Sequence, residues 1–473
     1  MSIFSEHTWL KDAKGALVVV AGFGGAGGAA ALSAAEAGAR VLVVDRAPAA
    51  VRGGNTRENL FYLAMKNTHE LNDEFAQGIE RVAQPWSSEC GETTEMARFW
   101  SLDQEFVRTW LDESVPTVQW MEKLGFRFSY QESDLVDDGF APGLVPDGGG
   151  NQMLDVFERK ARELGVAFSY ETALVGLRTD DAGAVKAVVL ETAYGRETLE
   201  CSSVILATGG FHGNYELTTK YLGVSARHAL PLTKSAFYNR GEGFRLALEL
   251  GAATAGDLSE WHGLVIDARA DGERWLLSGM ELGIMVNRAG ERFFDESTGE
   301  AAEKAVRDQE DGVAYYIADA SARRHPFADR RFKTGLDSIK AATIEELAEK
   351  IRVPVDTLRQ TIFEYNAACD WSNNEQRGAA SGLAVPKAFG AKPLIEMPFE
   401  AWPLRSGICF SLGGLKVDKF GRVLTEDNHA IKGLYAAGDT AGGYYKQYVN
   451  YTSSLKALVF GRRSGIHAAK SSD

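Results

Sequence analysis

Cysteine is scarce in this chain. Cys90, Cys201, Cys369 and Cys409 are its four thiols, widely separated and without a CxxC pair. That spacing argues against a disulfide framework and a thiolate metal site, and it reads as buried free thiols in a reducing cytoplasm. Long apolar runs are missing as well. Nothing approaches the ~20 uninterrupted apolar residues that cross a bilayer. Residues 1–15 are mixed and charged, without the apolar stretch of a secretory leader. Positive charge is not in excess either: Lys and Arg number 51 against 65 Asp and Glu, a net charge of −14. An acidic surface repels nucleic acid and anionic membranes, so neither is expected as a partner. Proline is sparse at 12 residues, and the chain shows no Pro- or Ser-rich linker and no internal repeat.

Glycine, by contrast, is abundant, at 50 of 473 residues. With 45% hydrophobic residues this fits a βαβ protein with about two or three cores and tight backbone approaches to a ligand. Residues 16–46 read as one such unit. A strand over 16–21 meets Gly22-Phe23-Gly24-Gly25-Ala26-Gly27, an alanine-rich helix over 27–38 follows, and a second strand, 41–44, ends at Asp45. Gly22 suits the tight turn, Gly24 the close approach to a pyrophosphate, and Gly27 the packing of helix on strand. Asp45, 23 residues beyond Gly22, is placed to accept from ribose hydroxyls.

Arg52-Gly53-Gly54-Asn55-Thr56 comes next. Small residues with an amide and a hydroxyl let backbone run close to a phosphate or a flat ring; an ordinary loop is the alternative. Ala207-Thr208-Gly209-Gly210 ends a strand and reads as a second backbone edge beside the ligand. Near the other end, Gly438-Asp439 leads to a helix over about 452–469, with Ser454 and Leu455 in its first turn. Two signatures so far apart imply one long cofactor gripped at both ends, which points to FAD. Asp439 would hold its ribityl chain, and the helix dipole would face the ring's pyrimidine edge. Leu455, Leu458, Val459 and Ile466 also give this helix a core face, so it packs under either reading. No histidine lies near Gly53–Arg57, so the FAD is expected to be non-covalent.

The expected fold class is α/β, with a discontinuous Rossmann-like FAD-binding domain over 1–224 and 401–473. Residues 225–400 are more charged, mix helix and strand, and read as an inserted α+β capping or substrate domain.

With these elements in order, the chain resembles the flavoprotein family of fumarate reductase and succinate dehydrogenase. The motifs above carry the resemblance. So do Val286-Asn287-Arg288-Ala289-Gly290-Glu291-Arg292-Phe293-Phe294-Asp295-Glu296, Gly413-Gly414-Leu415-Lys416-Val417-Asp418 and Phe460-Gly461-Arg462. Trp402-Pro403-Leu404-Arg405 and Arg52-Gly53-Gly54-Asn55 look most like the tricarballylate dehydrogenase and 3-ketosteroid dehydrogenase branches. The resemblance implies FAD and hydride exchange between flavin N5 and a carbon near a carbonyl. It also implies departures. Glu300 stands where the reductases carry an arginine acid, and Phe410 where they carry a histidine. His262 matches a second, carboxylate-binding histidine, and Tyr448 falls where the ketone-oxidising branch places a tyrosine that donates to the substrate carbonyl.

Desaturation next to a carbonyl needs a base for the α-proton, a hydride acceptor for the β-hydrogen, and donors to the carbonyl oxygen. Tyr448, with a backbone N–H near Thr452, suits the donor role. A buried Glu300 would be raised toward neutrality and would suit the base, although a solvated charged turn explains it equally well. His262 reads as a substrate ligand or a structural histidine. Tyr445 belongs to a tyrosine cluster that lines a pocket or packs a core. Lys446 and Arg405 are the nearest cations for a substrate carboxylate, or ordinary surface charges. The leading expectation is an FAD-dependent dehydrogenase of a small, cyclic ketone or keto acid, passing electrons to an acceptor the residues do not identify. A fumarate- or enoate-type reductase, or a tricarballylate-like acid dehydrogenase, is the first alternative. A flavin-binding subunit without turnover is the second.

Overall fold

The computed structural model describes residues 7, 17–58, 63–83, 103–131, 143–269, 280–298, 302–324, 336–370, 378–445, 448–449 and 452–471. The chain runs from β1 (Leu17–Ala21) through α1 (Gly25–Glu36) to β2 (Arg40–Val44). It continues through α2 (Gly54–Glu58), α3 (Gln104–Lys123) and α4 (Gly149–Glu163) to β3 (Ala167–Ser169). An antiparallel three-stranded sheet of β4 (Ala173–Thr179), β5 (Val185–Thr192) and β6 (Gly195–Glu200) leads into β7 (Ser203–Leu206) and later α5 (Glu242–Glu249). Then come β8 (Trp261–Asp267), β9 (Ile284–Val286), β10 (Ala314–Ala318), β11 (Ile339–Ala341), α6 (Ile344–Ile351), α7 (Val355–Ala368) and β12 (Phe399–Ser411). The last elements are β13 (Arg422–Leu424), β14 (Ala430–Ala436) and α8 (Ser453–Lys470).

By compactness the chain forms two units: Met1–Leu217 with Lys234–His262 and Phe410–Asp473, and Thr218–Thr233 with Gly263–Cys409. Residues 234–262, which the sequence reading assigns to the insert, cluster with the first unit. The cause is local: Glu242 at the start of α5 pairs with Arg46 beyond β2, and Gly243 passes so close to Thr208 that an added Cβ would come 2.5 Å from its hydroxyl oxygen.

The first unit is built on a sheet ordered β13-β14-β7-β1-β2-β3, in which only β13 is antiparallel to its neighbour. All five residues of β1 are buried, as continuous apolar strands covered on both faces must be. Helix α1 is almost entirely Gly and Ala, and its residues from Gly25 to Ala34 are all buried. Such a helix is packed on every side rather than on one face. Phe157 of α4 lies against Gly28, where an added Cβ would come 2.9 Å from the ring. Gly461 and Gly465 of α8 meet the backbone of α1 directly: a Cβ at either would come 2.4 Å from the Ala26 oxygen or 2.3 Å from that of Ala30.

The second unit is mainly antiparallel. Strand β10 pairs with β9 and β12, and β11 also pairs with β12. Ile284, Ile317, Leu347, Leu358 and Tyr365 share its core with α6 and α7.

Helices α1 and α8 fit only without side chains at their crossing, so Gly461→Ala should cost about 1–3 kcal/mol, the usual penalty of overpacking. Denaturant titration of the variant checks this; an unchanged midpoint would contradict the close approach.

Candidate active site

The carboxyl ends of β1, β2, β7 and β14 lie side by side along one edge of the parallel sheet, and every nucleotide motif read from the sequence follows one of them. This edge, where strand order reverses about β1, is where open α/β sheets bind ligands. Gly22 turns the chain at φ +98°, and a Cβ there would come 2.3 Å from the Ala207 oxygen, so β1 and β7 are held together by its lack of a side chain. A Cβ on Gly27 would come 2.0 Å from the Gly22 oxygen. Gly24 is different: an added Cβ would come no nearer than 3.4 Å to Gly53 O. Protein packing therefore does not demand a glycine there, whereas a close ligand does. Gly24 has no side chain with which to cap the start of α1; Thr56 takes the N–H of Gly25, and the N–H groups that follow in the first turn suit a phosphate.

The Arg52–Thr56 loop folds against this helix start. Gly53 takes φ +113°, and a Cβ on it would come 2.2 Å from Leu154. Arg52 pairs with Asp155 at 2.5 Å and Glu158 at 2.8 Å on α4, which anchors the loop. Thr56 Oγ1 accepts from Gly25 N–H at 3.1 Å. Asn55 Nδ2 lies 3.5 Å from Asp439 Oδ2, a long contact that nonetheless brings the two distant signatures together. Thr440 completes the junction, donating to Gly209 O at 3.0 Å and lying 3.3 Å from the Thr208 hydroxyl. Gly54 borders the side chain of Asn239, which also reaches His212 Nε2 at 3.3 Å. Burial drives His212 down to about 3, so its imidazole is neutral.

Asp45 accepts from Phe23 N–H at 2.7 Å and Ala47 N–H at 2.8 Å. Burial raises its carboxyl to about 6, and nearby Glu242 pushes the same way. Glu242 was not singled out by the sequence reading. It pairs with Arg46 through Oε1, while Oε2 is buried without a partner. An acceptor left open beside Asp45 fits a ligand hydroxyl. Its signal in the sequence was the glycine-flanked run Asn239-Arg240-Gly241-Glu242-Gly243 ahead of a helix.

A second cluster forms where 260–262, 410–412, 444, 448 and 452–453 meet, all within the first unit. Leu412 N–H donates to Glu260 O at 2.9 Å, setting Phe410 beside His262. The ring centroids of His262 and Tyr448 are 4.2 Å apart, His262 and Phe410 5.5 Å, Phe410 and Tyr448 5.1 Å, and Tyr444 and Tyr448 5.2 Å. Tyr448 and Ser453 share a hydroxyl–hydroxyl bond of 2.9 Å, and Ser453 N–H lies 3.3 Å from the phenol oxygen. Tyr444 and Thr452 share another at 2.8 Å. Ser454 and Leu455 are buried in the first turn of α8. The sequence reading took the tyrosines of the 444–451 run as one cluster and named Tyr445 for the substrate; Tyr445 is half-buried, and Tyr444, fully buried, packs with the other rings. Arg405 belongs to β12 in the second unit. Glu300 and Lys446 lie outside the described residues.

A glycine-lined strand edge with a helix start above it and buried acidic side chains beside it suits a dinucleotide cofactor. The sequence model of the FAD binding domain family matches residues 18–451, and the chain belongs to that family. It is 28% identical to a vinyl phenol reductase of Lactiplantibacillus plantarum, with 96% of both chains covered. To a probable fumarate reductase, Ifc3, of Shewanella frigidimarina it is 29% identical, over 96% of this chain and 74% of the other. To a 4-oxocyclohex-2-ene-1-carboxylate 5-dehydrogenase of Sinomonas cyclohexanicum it is 27% identical, over 68% of this chain and 60% of the other. Among solved structures, an open flavocytochrome c3 fumarate reductase superposes with a TM-score of 0.79 at 24% identity, covering 99% of this chain and 81% of that one. The 3-ketosteroid Δ4-(5α)-dehydrogenase of Rhodococcus jostii RHA1 gives 0.65 at 24% identity, with 96% of both covered. The protein is an FAD-dependent oxidoreductase acting on carbon–carbon bonds. A flavin subunit without turnover is thereby set aside. Among the described residues, no helix is long and apolar enough to cross a membrane.

A ribose-binding role for Asp45 has a measurable signature. Its carboxylate is the better acceptor, so FAD affinity should be full above the titration near pH 6 and fall as pH drops through it. Asp45→Asn should bind FAD about 10- to 100-fold more weakly at neutral pH, the scale of a lost bond to a charged group, and should lose the pH dependence. Titration of flavin fluorescence into apoprotein reads both; a flat profile in the parent would remove Asp45 from the site.

Proposed function

We propose that the enzyme desaturates a small cyclic ketone or keto acid next to its carbonyl. The aromatic box of His262, Phe410, Tyr444 and Tyr448 carries this reading. Flat aromatic faces suit a planar conjugated ring, and a phenol donates to a carbonyl without adding fixed charge. Phe410, at the position where the reductases have a histidine, favours such a ring over a dicarboxylate. The Sinomonas relative is named for a cyclohexenone that carries one carboxylate, which supports a cyclic keto acid within that class.

FAD supplies the acceptor for the β-hydrogen, leaving as hydride. The fitting residues are Gly22, Gly24 and Gly27 with α1 for the pyrophosphate, Asp45 for ribose, and Gly53, Gly54, Asn55, Thr56, Thr208, Gly209 and Asp439 with the start of α8 toward the ring. Tyr448 donates to the substrate carbonyl and stabilises the charge that develops there as the α-proton leaves. Ser453 fixes that phenol through two contacts. His262, tilted against the Tyr448 ring, is the group in the box assigned to hold the departing proton.

A second reading reverses the direction. The relative that covers 96% of both chains reduces, by its name, a vinyl phenol, and an alkene conjugated to a phenol ring would fit the same box. Anaerobic spectra separate the two. A saturated cyclic ketone should bleach the oxidised flavin in the first reading, whereas 4-vinylphenol should restore the colour of dithionite-reduced enzyme in the second. Response to dicarboxylates alone would overturn both. Tyr448→Phe should slow the productive reaction about 10²- to 10³-fold, the cost of one lost oxyanion donor, with FAD content unchanged.

A further inference from the structure

Lys456 breaks the ordinary rules of charge placement. It lies at the start of α8, its N–H donating to Thr452 O at 3.1 Å, where the helix presents the positive end of its dipole. The side chain is 3% exposed. It runs along glycine backbone: a Cβ added to Gly443 would come 3.0 Å from Lys456 Cδ. Its ammonium donates to Ala441 O at 2.8 Å and lies 5.1 Å from the centroid of the Tyr444 ring. Asp439 is the charged group that faces it, and that carboxylate also holds the contact to Asn55. Burial pushes the ammonium down to about 8 and the Asp439 carboxyl up, so the pair does not offset its own desolvation. Burying a charge costs stability rather than adding it, and broken local rules concentrate at functional sites.

We propose that Lys456 is a positioning charge that favours the electron-rich form of the bound cofactor. The ammonium, fixed behind the turn at 438–444, compensates the negative charge that arrives with the hydride. The lysine forms and breaks no bond: the hydride and its electron pair come from the substrate, and the α-proton goes to the protein. The inference rests on the reading that Asp439 and the start of α8 flank the flavin ring. It adds a determinant of redox poise that neither the nucleotide motifs nor the aromatic box supplies.

The test uses holoenzyme and two readouts besides activity, the flavin midpoint potential against indicator dyes and the affinity for sulfite. Lys456→Gln keeps a donor for Ala441 and removes the charge; Lys456→Met removes both; Lys456→Arg keeps the charge. Both neutral variants should show a lower potential and about tenfold or greater loss of sulfite affinity, the scale of losing a unit charge a few ångströms away in a protein interior, while the arginine variant stays near the parent. Parental values in Lys456→Gln, or an equal drop in all three, would overturn the proposal. Should neither neutral variant hold FAD, parent and Lys456→Arg decide it. Their potentials should diverge as pH rises past about 8, where the ammonium facing Asp439 and Tyr444 gives up its proton and a guanidinium does not; a constant difference would overturn it. The FAD affinity of Asp439→Ala tests the underlying placement separately, since parental affinity there would refute that placement whatever Lys456 does.

Discussion

The structure depends on two helices meeting without side chains between them. Gly461 and Gly465 of α8 lie against the backbone of α1 at Ala26 and Ala30. Because α1 begins the nucleotide-binding unit and α8 ends the chain, this contact joins segments more than four hundred residues apart. It sets the start of α8 beside the junction formed by Asn55, Thr208, Gly209 and Thr440. The glycine turn between β1 and α1 could bind a pyrophosphate without it, but the grip on a longer cofactor could not form.

The rest of the site is a compromise between burial and polarity. The strands of the parallel sheet are dry, while its carboxyl edge carries Asp45, Glu242 and Asp439. Each carboxylate has some compensation: backbone N–H groups for Asp45, Arg46 for Glu242, Asn55 and Lys456 for Asp439. Glu242 keeps Oε2 without a partner, the kind of open acceptor a ligand hydroxyl needs, since a buried polar group left unpaired is costly until something pairs with it. The aromatic box works differently. Its shape comes from ring packing, and its polarity from hydroxyl pairs that tie Tyr444 and Tyr448 to Thr452 and Ser453.

Much of this was legible along the chain. The strand–glycine–helix run at 16–46, the turn at Gly53 and Gly54, and the late Gly438-Asp439 are local patterns whose chemistry follows from spacing, and all of them end on one sheet edge. His262, Phe410 and Tyr448, chosen by resemblance from three distant segments, fall within ring contact of one another. Other features were less legible. Tyr445 and Tyr444 are adjacent and chemically identical, so only the backbone direction at Gly443–Tyr445 could say which faces the box. Residues 234–262 carry no parallel-strand pattern, and their place in the first unit rests on the Arg46–Glu242 pair and the contact of Gly243 with Thr208.

By itself, the sequence determined that the chain folds around a dinucleotide and where its backbone must lack side chains. Glycine spacing, apolar runs and an acidic residue at a strand's end are constraints that neighbours along the chain impose. Only the tertiary structure decided which charges and rings share a space: Lys456 beside Asp439, Glu242 beside Asp45, and Tyr444 with His262 in one aromatic box. Such pairings join residues tens to hundreds of positions apart, and their energies arise from burial and distance, which exist only once the helices and strands have packed.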